Sequence, residues 1–433
     1  MRTTVLGLAL TVVIGAGCST GGAPRPSGPD AIVSEPGGTG STSEQRARDM
    51  RARELWRSGR SSMASGDSSA LPAAARSFRE ALALQPDLFE AREELGLVLY
   101  MMGDLDGAVA ELRALLRRNP EAVRARLTLA TALMVKQDWA AARPEFEEVL
   151  RRQPDSVQAL YGLAQVRYAR GDLNGAIAAY QQILSRIPDH PDARYNLALV
   201  LKLAHRDAEA TPEFVAAARA GHPRAQFFAG TAFARGVGAE ADLSQAISWW
   251  SRAADQGNPE AIAALGELRQ TALGKTRRPP AERQAVEHGF RDYRSRLWSE
   301  FPELTRAGAD DTVGAALLRQ GRAGAAVSVS ISEALAFSEP AQILLEELYT
   351  HGAREGVPPY DPRILDYFKT AADEGQVRAR IALAKLYAGG LGVPKDTPRA
   401  ISLLKATPHE DAQRLLQELS AAGEAVPSPP VRP

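Results

Sequence analysis

Cys18 is the single thiol in a chain of 433 residues, so no disulfide can form within the chain. It follows Gly15, Ala16 and Gly17 directly, a position suited to processing and modification rather than to nucleophilic catalysis. Leu273-Gly274-Lys275-Thr276 has the ending of a phosphate-cradling loop, but Arg269 stands where the first glycine is required and no strand precedes it. It reads as a basic loop. The histidines are His190, His205, His222, His288, His351 and His409, and none pairs with a carboxylate at zinc-ligand spacing. Ser328, Ser330 and Ser332 alternate with Val327, Val329 and Ile331, as in a short strand, yet Ala-rich helical sequence surrounds them and no G-x-S-x-G frame is present. These residues give no expected catalytic group, cofactor or metal site, and the reading is of a non-enzyme.

Lys+Arg and Asp+Glu both number 52, so the basic excess of a nucleic-acid binder is missing. Hydrophobic residues reach 45% but aromatics only 6%, a balance that favours close-packed helices. At the N-terminus, Arg2 precedes the apolar run Val5 to Ile14, too short for the roughly 20 residues that span a bilayer. Followed by Gly15-Ala16-Gly17-Cys18, it resembles a bacterial lipoprotein signal (1–17). That resemblance implies that Cys18 becomes the first mature residue and carries lipid. With Ser19 next, the sorting rule of enteric bacteria implies the outer membrane, facing the periplasm. Gly15 departs from the usual Leu or Val, which leaves plain secretion open. Residues 18–43, rich in Gly, Pro and Ser, are expected to form a flexible tether.

The rest of the chain must supply the architecture, and it is periodic. Pro86, Pro120, Pro154 and Pro188 stand 34 residues apart, as do Ala74, Ala108, Ala142, Ala176 and Ala210, and Phe78, Leu112, Phe146, Tyr180 and Phe214. Small residues at Gly96 and Ala108 let two helices cross closely. Gly-Asp pairs at 66–67, 103–104 and 171–172 end one helix and cap the next. The pattern Leu95-Gly96, Ala108, Leu112, Leu115, Pro120 resembles the tetratricopeptide repeat, in about five units over 44–220.

A second signature, Ala-Ala-x-x-Gly-x-x-x-Ala, appears at Ala217 to Ala225, recurs 36 residues later at Ala253 to Ala261, and again at Ala371 to Ala379. With Gly236, Gly238, Asp242 and Gly390, Gly392, Asp396, it resembles the Sel1-like repeat, over 221–272 and 339–420, ending in a capping helix at 409–420. Trp249-Trp250 occupies the aromatic position of that pattern, so at least one ring is expected in the core. Residues 273–338 break the period with a charged helix over Glu282–Leu297 and a degenerate hairpin at 311–337, and 421–433 reads as a disordered tail. Both resemblances imply an all-α fold, a right-handed α-solenoid of antiparallel helix hairpins.

The tetratricopeptide resemblance also implies a concave groove on the first helix of each unit. Its groove positions fall on Glu93, Leu127, Tyr161 and Tyr195, and on Tyr100, Met134, Tyr168 and Lys202. Rigid aromatic surface with a hydroxyl suits a protein or peptide partner. The Lys/Asn clamp for C-terminal carboxylates found in some chaperone cofactors is missing; Asn196 alone stands near such a position. The expected partners are other envelope proteins in the groove and the membrane through the lipid, with no nucleic acid and no small-molecule substrate. Lipoproteins that combine both repeats resemble scaffolds for exopolysaccharide secretion. A regulator of a cell-wall enzyme and a pilotin-like assembly factor stay open. A glycan-acting enzyme hidden in 273–338 would need paired carboxylates or a triad, and neither is visible.

Overall fold

In the computed structural model, which describes residues 41–64, 66–352 and 356–424, every regular element is helical. The signal segment, Cys18 and residues up to 40 of the tether lie outside the described residues, as does the tail beyond 424. Helix α1 (Ser41–Ala64) pairs with α2 (Leu71–Leu84). The hairpins α3 (Phe89–Met101)/α4 (Leu105–Arg118), α5 (Val123–Val135)/α6 (Trp139–Arg152), α7 (Val157–Ala169)/α8 (Leu173–Arg186) and α9 (Pro191–Leu203)/α10 (Asp207–Arg219) then stack in sequence. The array continues through α11 (Pro223–Arg235)/α12 (Leu243–Asp255) and α13 (Pro259–Ala272). None of these helices is long and apolar enough to cross a membrane.

The sequence columns become packing. Ala74, Ala108, Ala142 and Ala176 have no exposed surface, and Phe78, Leu112, Phe146 and Tyr180 fill the hairpin centres beside them. A Cβ on Gly96 would lie 2.6 Å from Leu112, which is why that crossing takes no larger residue. Within the α3/α4 hairpin, Gly103 turns with a φ of 80°, and Asp104 accepts from the Gly107 N–H at 2.9 Å to cap α4. Asp138 and Asp172 cap α6 and α8 in the same way.

At 273 the stacking changes. Helix α14 (Pro280–Ser299) turns back onto α12 as well as α13, burying Val286, Phe290, Tyr293 and Leu297 along one face. Arg296, partly exposed beside that face, donates to Asp242 at 3.0 Å, tying it to the start of α12. The short α15 (Val313–Arg319) pairs with α16 (Ala323–Leu335), so Ser328, Ser330 and Ser332 are helical and no strand forms there. Buried Glu333 accepts from the Val313 and Gly314 N–H groups at 2.9 and 3.1 Å, supplying partners that the first turn of a helix cannot find within itself.

Solenoid stacking resumes with α17 (Glu339–His351), α18 (Pro362–Glu374), α19 (Val377–Gly389) and α20 (Thr397–Lys405). It closes on α21 (Glu410–Glu424), whose helix runs four residues past the expected end at 420. A clasp spans the irregular segment: Arg269 grips Glu374 with two bonds of 2.6 Å, and Gln270 and Lys275 both donate to the Glu374 carbonyl. The basic loop at Lys275 therefore caps the end of α18.

Candidate binding groove

The first helices of successive hairpins present side chains at intervals of three and four residues, so each contributes one stripe to a common face. An open hollow of about 390 Å³ lies on that face between α3, α5 and α7. Leu97, Tyr100, Leu127, Met134 and Tyr161 give it an apolar floor, while Thr131, Gln158, Gln165 and Asp192 add polar edges. The Thr131 hydroxyl donates to the Leu127 carbonyl at 2.9 Å, so what it offers a visitor is a lone pair.

Tyr161 is the best fixed of these groups. Its ring meets Tyr180 edge-on at 5.6 Å and lies flat beside His190 at 6.3 Å. Asn196 donates its side-chain amide to the Tyr161 hydroxyl, which leaves the phenolic O–H to donate to a ligand carbonyl. Burial, reinforced by the Asp192 charge, pushes the Tyr161 pKa up to about 12, so the donor stays protonated at ordinary pH.

Tyr168 and Lys202 line a second, smaller hollow of about 130 Å³ with Asn196, Leu199 and Leu203. The groove positions anticipated from the sequence therefore divide between two hollows. Tyr195 joins neither. It is 6% exposed, with its ring stacked on His222 at 4.2 Å and near Phe214 and Phe228. The cause is the joint between the two arrays. His222 Nδ1 accepts from the Ala225 N–H at 3.1 Å to cap α11, and this brings its ring over Tyr195. Burial holds the His222 pKa below its ordinary value, with Asp192 opposing that shift from 3.6 Å. Glu93 faces Arg124 at 3.7 Å and stands outside the first hollow, where α3 contributes Leu97 and Tyr100 instead.

Trp249 and Trp250 are both buried, and the Trp250 ring N–H donates to the Phe227 carbonyl at 3.1 Å. Among the described residues no group of three or more His, Cys, Asp or Glu side chains could hold a metal. Asn196 lines the second hollow with Lys202 and donates to Tyr161.

The profile of the tetratricopeptide repeat matches residues 67–123, 95–143, 127–191 and 167–225, and that of the Sel1 repeat matches 223–258 and 377–406. The chain carries tetratricopeptide repeats followed by Sel1 repeats. It is similar to the solved MamA fragment, residues 41 to the end, from Desulfovibrio magneticus, at 19% identity over 41% of this chain and 97% of that one, with a TM-score of 0.38. YrrB, described as a tetratricopeptide protein with an unusual peptide-binding site, aligns at 22% identity over 44% of this chain and 98% of its own, with a TM-score of 0.37. A Sel1 repeat protein from Oxalobacter formigenes aligns at 20% identity over 88% of this chain and 91% of its own, with a TM-score of 0.28. Repeats of these two kinds indicate a scaffold for protein–protein interaction, built as an all-helical solenoid.

Proposed function

We propose that this chain is a lipid-anchored, periplasm-facing scaffold that seats a segment of another envelope protein in its first hollow. In this reading it supports assembly of an envelope or exopolysaccharide secretion complex. The observation that carries the binding role is the hollow between α3, α5 and α7, where apolar floor and fixed polar edges lie together around Tyr161. Such a surface takes a peptide that combines apolar side chains with backbone carbonyls. The anchoring role rests on the sequence from Arg2 to Cys18 and on the tether that follows it. The lipid would hold the solenoid at the membrane while the tether lets the groove reach its partner.

Photo-crosslinking in cells tests both parts. A photo-reactive residue replacing Tyr161 should capture one envelope protein reproducibly. Cys18→Ala should move the chain from the membrane to the soluble fraction and sharply reduce that capture. A membrane-bound Cys18→Ala chain would refute the anchor. A membrane-bound parent that captures no envelope protein would refute the scaffold.

A further inference from the structure

The segment that interrupts the repeats holds a cleft of about 250 Å³ with a different chemistry. Arg291, Arg294, Ser295 and Trp298 line one side, and their spacing of three, four and seven residues puts them on a single face of α14. Arg306, from the loop after α14, lays its guanidinium over the Trp298 ring at 4.5 Å. The start of α17, at Ser338 and Glu339, closes the other side.

The charge balance of this cleft is uneven. Arg294 is held by the Ala336 carbonyl, a neutral partner. Arg291 and Arg306 form no ion pair among the described residues. Two of the lining acids are already committed: Asp311 to Arg319 at 2.5 Å and Glu339 to Arg378 at 2.6 Å. Asp310 and the buried Glu333 remain to oppose three guanidiniums. Burial, and after it the Arg291 charge one turn away, disfavours the charge on Arg294, and an incoming anion would offset both.

We propose that this cleft is a second docking site, which takes an acidic segment of a partner protein through its Asp or Glu carboxylates. Guanidiniums one helical turn apart match carboxylates on neighbouring residues, and each can bind in a two-pronged fashion. The small cationic surplus favours singly charged carboxylates over a phosphate dianion. The stacked Arg306–Trp298 pair gives the segment an apolar wall beside its charge. This site is independent of the tetratricopeptide groove, so the scaffold would hold two partners, or two parts of one, at separate points.

The test is fluorescence anisotropy with the full chain and a fluorescein-labelled hexaglutamate peptide. Saturable binding is expected, weakened by about tenfold or more in Arg291→Glu/Arg306→Glu. Arg113→Glu/Arg117→Glu, an equal charge change on the exposed side of α4, should leave it within about twofold. Thermal unfolding confirms that each variant is folded, and Arg291→Gln/Arg306→Gln replaces the first pair if it is not. Failure of the unaltered chain to bind, or equal loss in both pairs, overturns the site. A phosphoserine peptide that binds through Arg291 and Arg306 when hexaglutamate does not overturns the carboxylate assignment.

Discussion

Arg126 on α5 donates to Glu145 on α6 at 2.6 Å, joining the two helices of one hairpin, while its second nitrogen donates to the Pro120 carbonyl at 2.9 Å. The relation recurs with the repeat: Arg92 meets Glu111 at 2.7 Å and Arg194 meets Glu213 at 2.6 Å. In the intervening unit Leu160 and Ala179 occupy the two positions, and both are buried. The array thus uses an ion pair or an apolar pair at one joint, as expected when desolvation offsets most of the Coulomb attraction.

Removing one partner should therefore cost more than removing both. Glu145→Ala is expected to lower stability by about 1–2 kcal/mol, since it leaves a partly buried guanidinium without its partner. Arg126→Leu/Glu145→Ala, which copies the unit containing Leu160, should recover about half of that loss. Urea unfolding of the four proteins in a double-mutant cycle measures the coupling, and strict additivity would contradict this account.

Two turns carry a side chain where their equivalents carry glycine. Gln137 and His205 have φ values of 61° and 57°, at the positions held by Gly103 and Gly171 in neighbouring units. The left-handed backbone costs a side-chain-bearing residue about 1–2 kcal/mol, and the added freedom of glycine in the unfolded chain offsets part of the gain. Gln137→Gly and His205→Gly should each stabilise the array by about 0.5–1 kcal/mol. A lower melting temperature in either variant would show that the side chain makes a contact outweighing the strain.

Glu333 gives the irregular segment a pH dependence. Burial pushes its pKa up to about 7 from 4.5, outweighing the two N–H groups that favour the carboxylate. The folded state thus holds a proton that the unfolded chain has released. Its contribution to stability is full below about pH 4.5 and declines as pH rises toward about 7, by up to about 3 kcal/mol. The difference in unfolding free energy between the parent and Glu333→Gln should shift in favour of the variant across that window. A difference constant from pH 4.5 to 8 would assign Glu333 an ordinary titration.

The Arg269–Glu374 clasp predicts a regional effect. Both side chains are largely buried, so Glu374→Ala strands a guanidinium and should cost about 3–5 kcal/mol. Because repeats couple to their neighbours, the loss should appear in α13 to α21 and leave the tetratricopeptide half almost unchanged. Hydrogen exchange followed by peptide mapping resolves the two halves. Uniform acceleration along the chain would mean that the solenoid unfolds as one unit.

Much of this architecture is legible as periodicity. The small and aromatic columns identify both arrays because a repeat must bury the same face on each neighbour. The groove was partly legible for the same reason. Leu97, Thr131, Gln165 and Leu199 form a further column at the 34-residue step, and all four line the hollows. They lie between the Leu127–Tyr161 column and the Met134–Tyr168 column, on the same helix face, and belong to the same stripe. Tyr195 could not be placed this way. Its burial depends on His222 and Phe228 from the Sel1 side of the joint, where the period itself changes. The clasp was equally hidden, since Arg269 and Glu374 stand 105 residues apart across the irregular segment.

A partner is expected to occupy the inner face of the first array. Photo-reactive residues placed singly at Tyr100, Tyr161 and Arg113 in the full chain test it most directly. Tyr100 and Tyr161 line the hollow, whereas Arg113 is exposed on α4 and does not line it. One protein should be captured from both tyrosine positions and not from Arg113. Capture of that protein from Arg113 alone, or equally from all three, would contradict it and place the partner outside the groove.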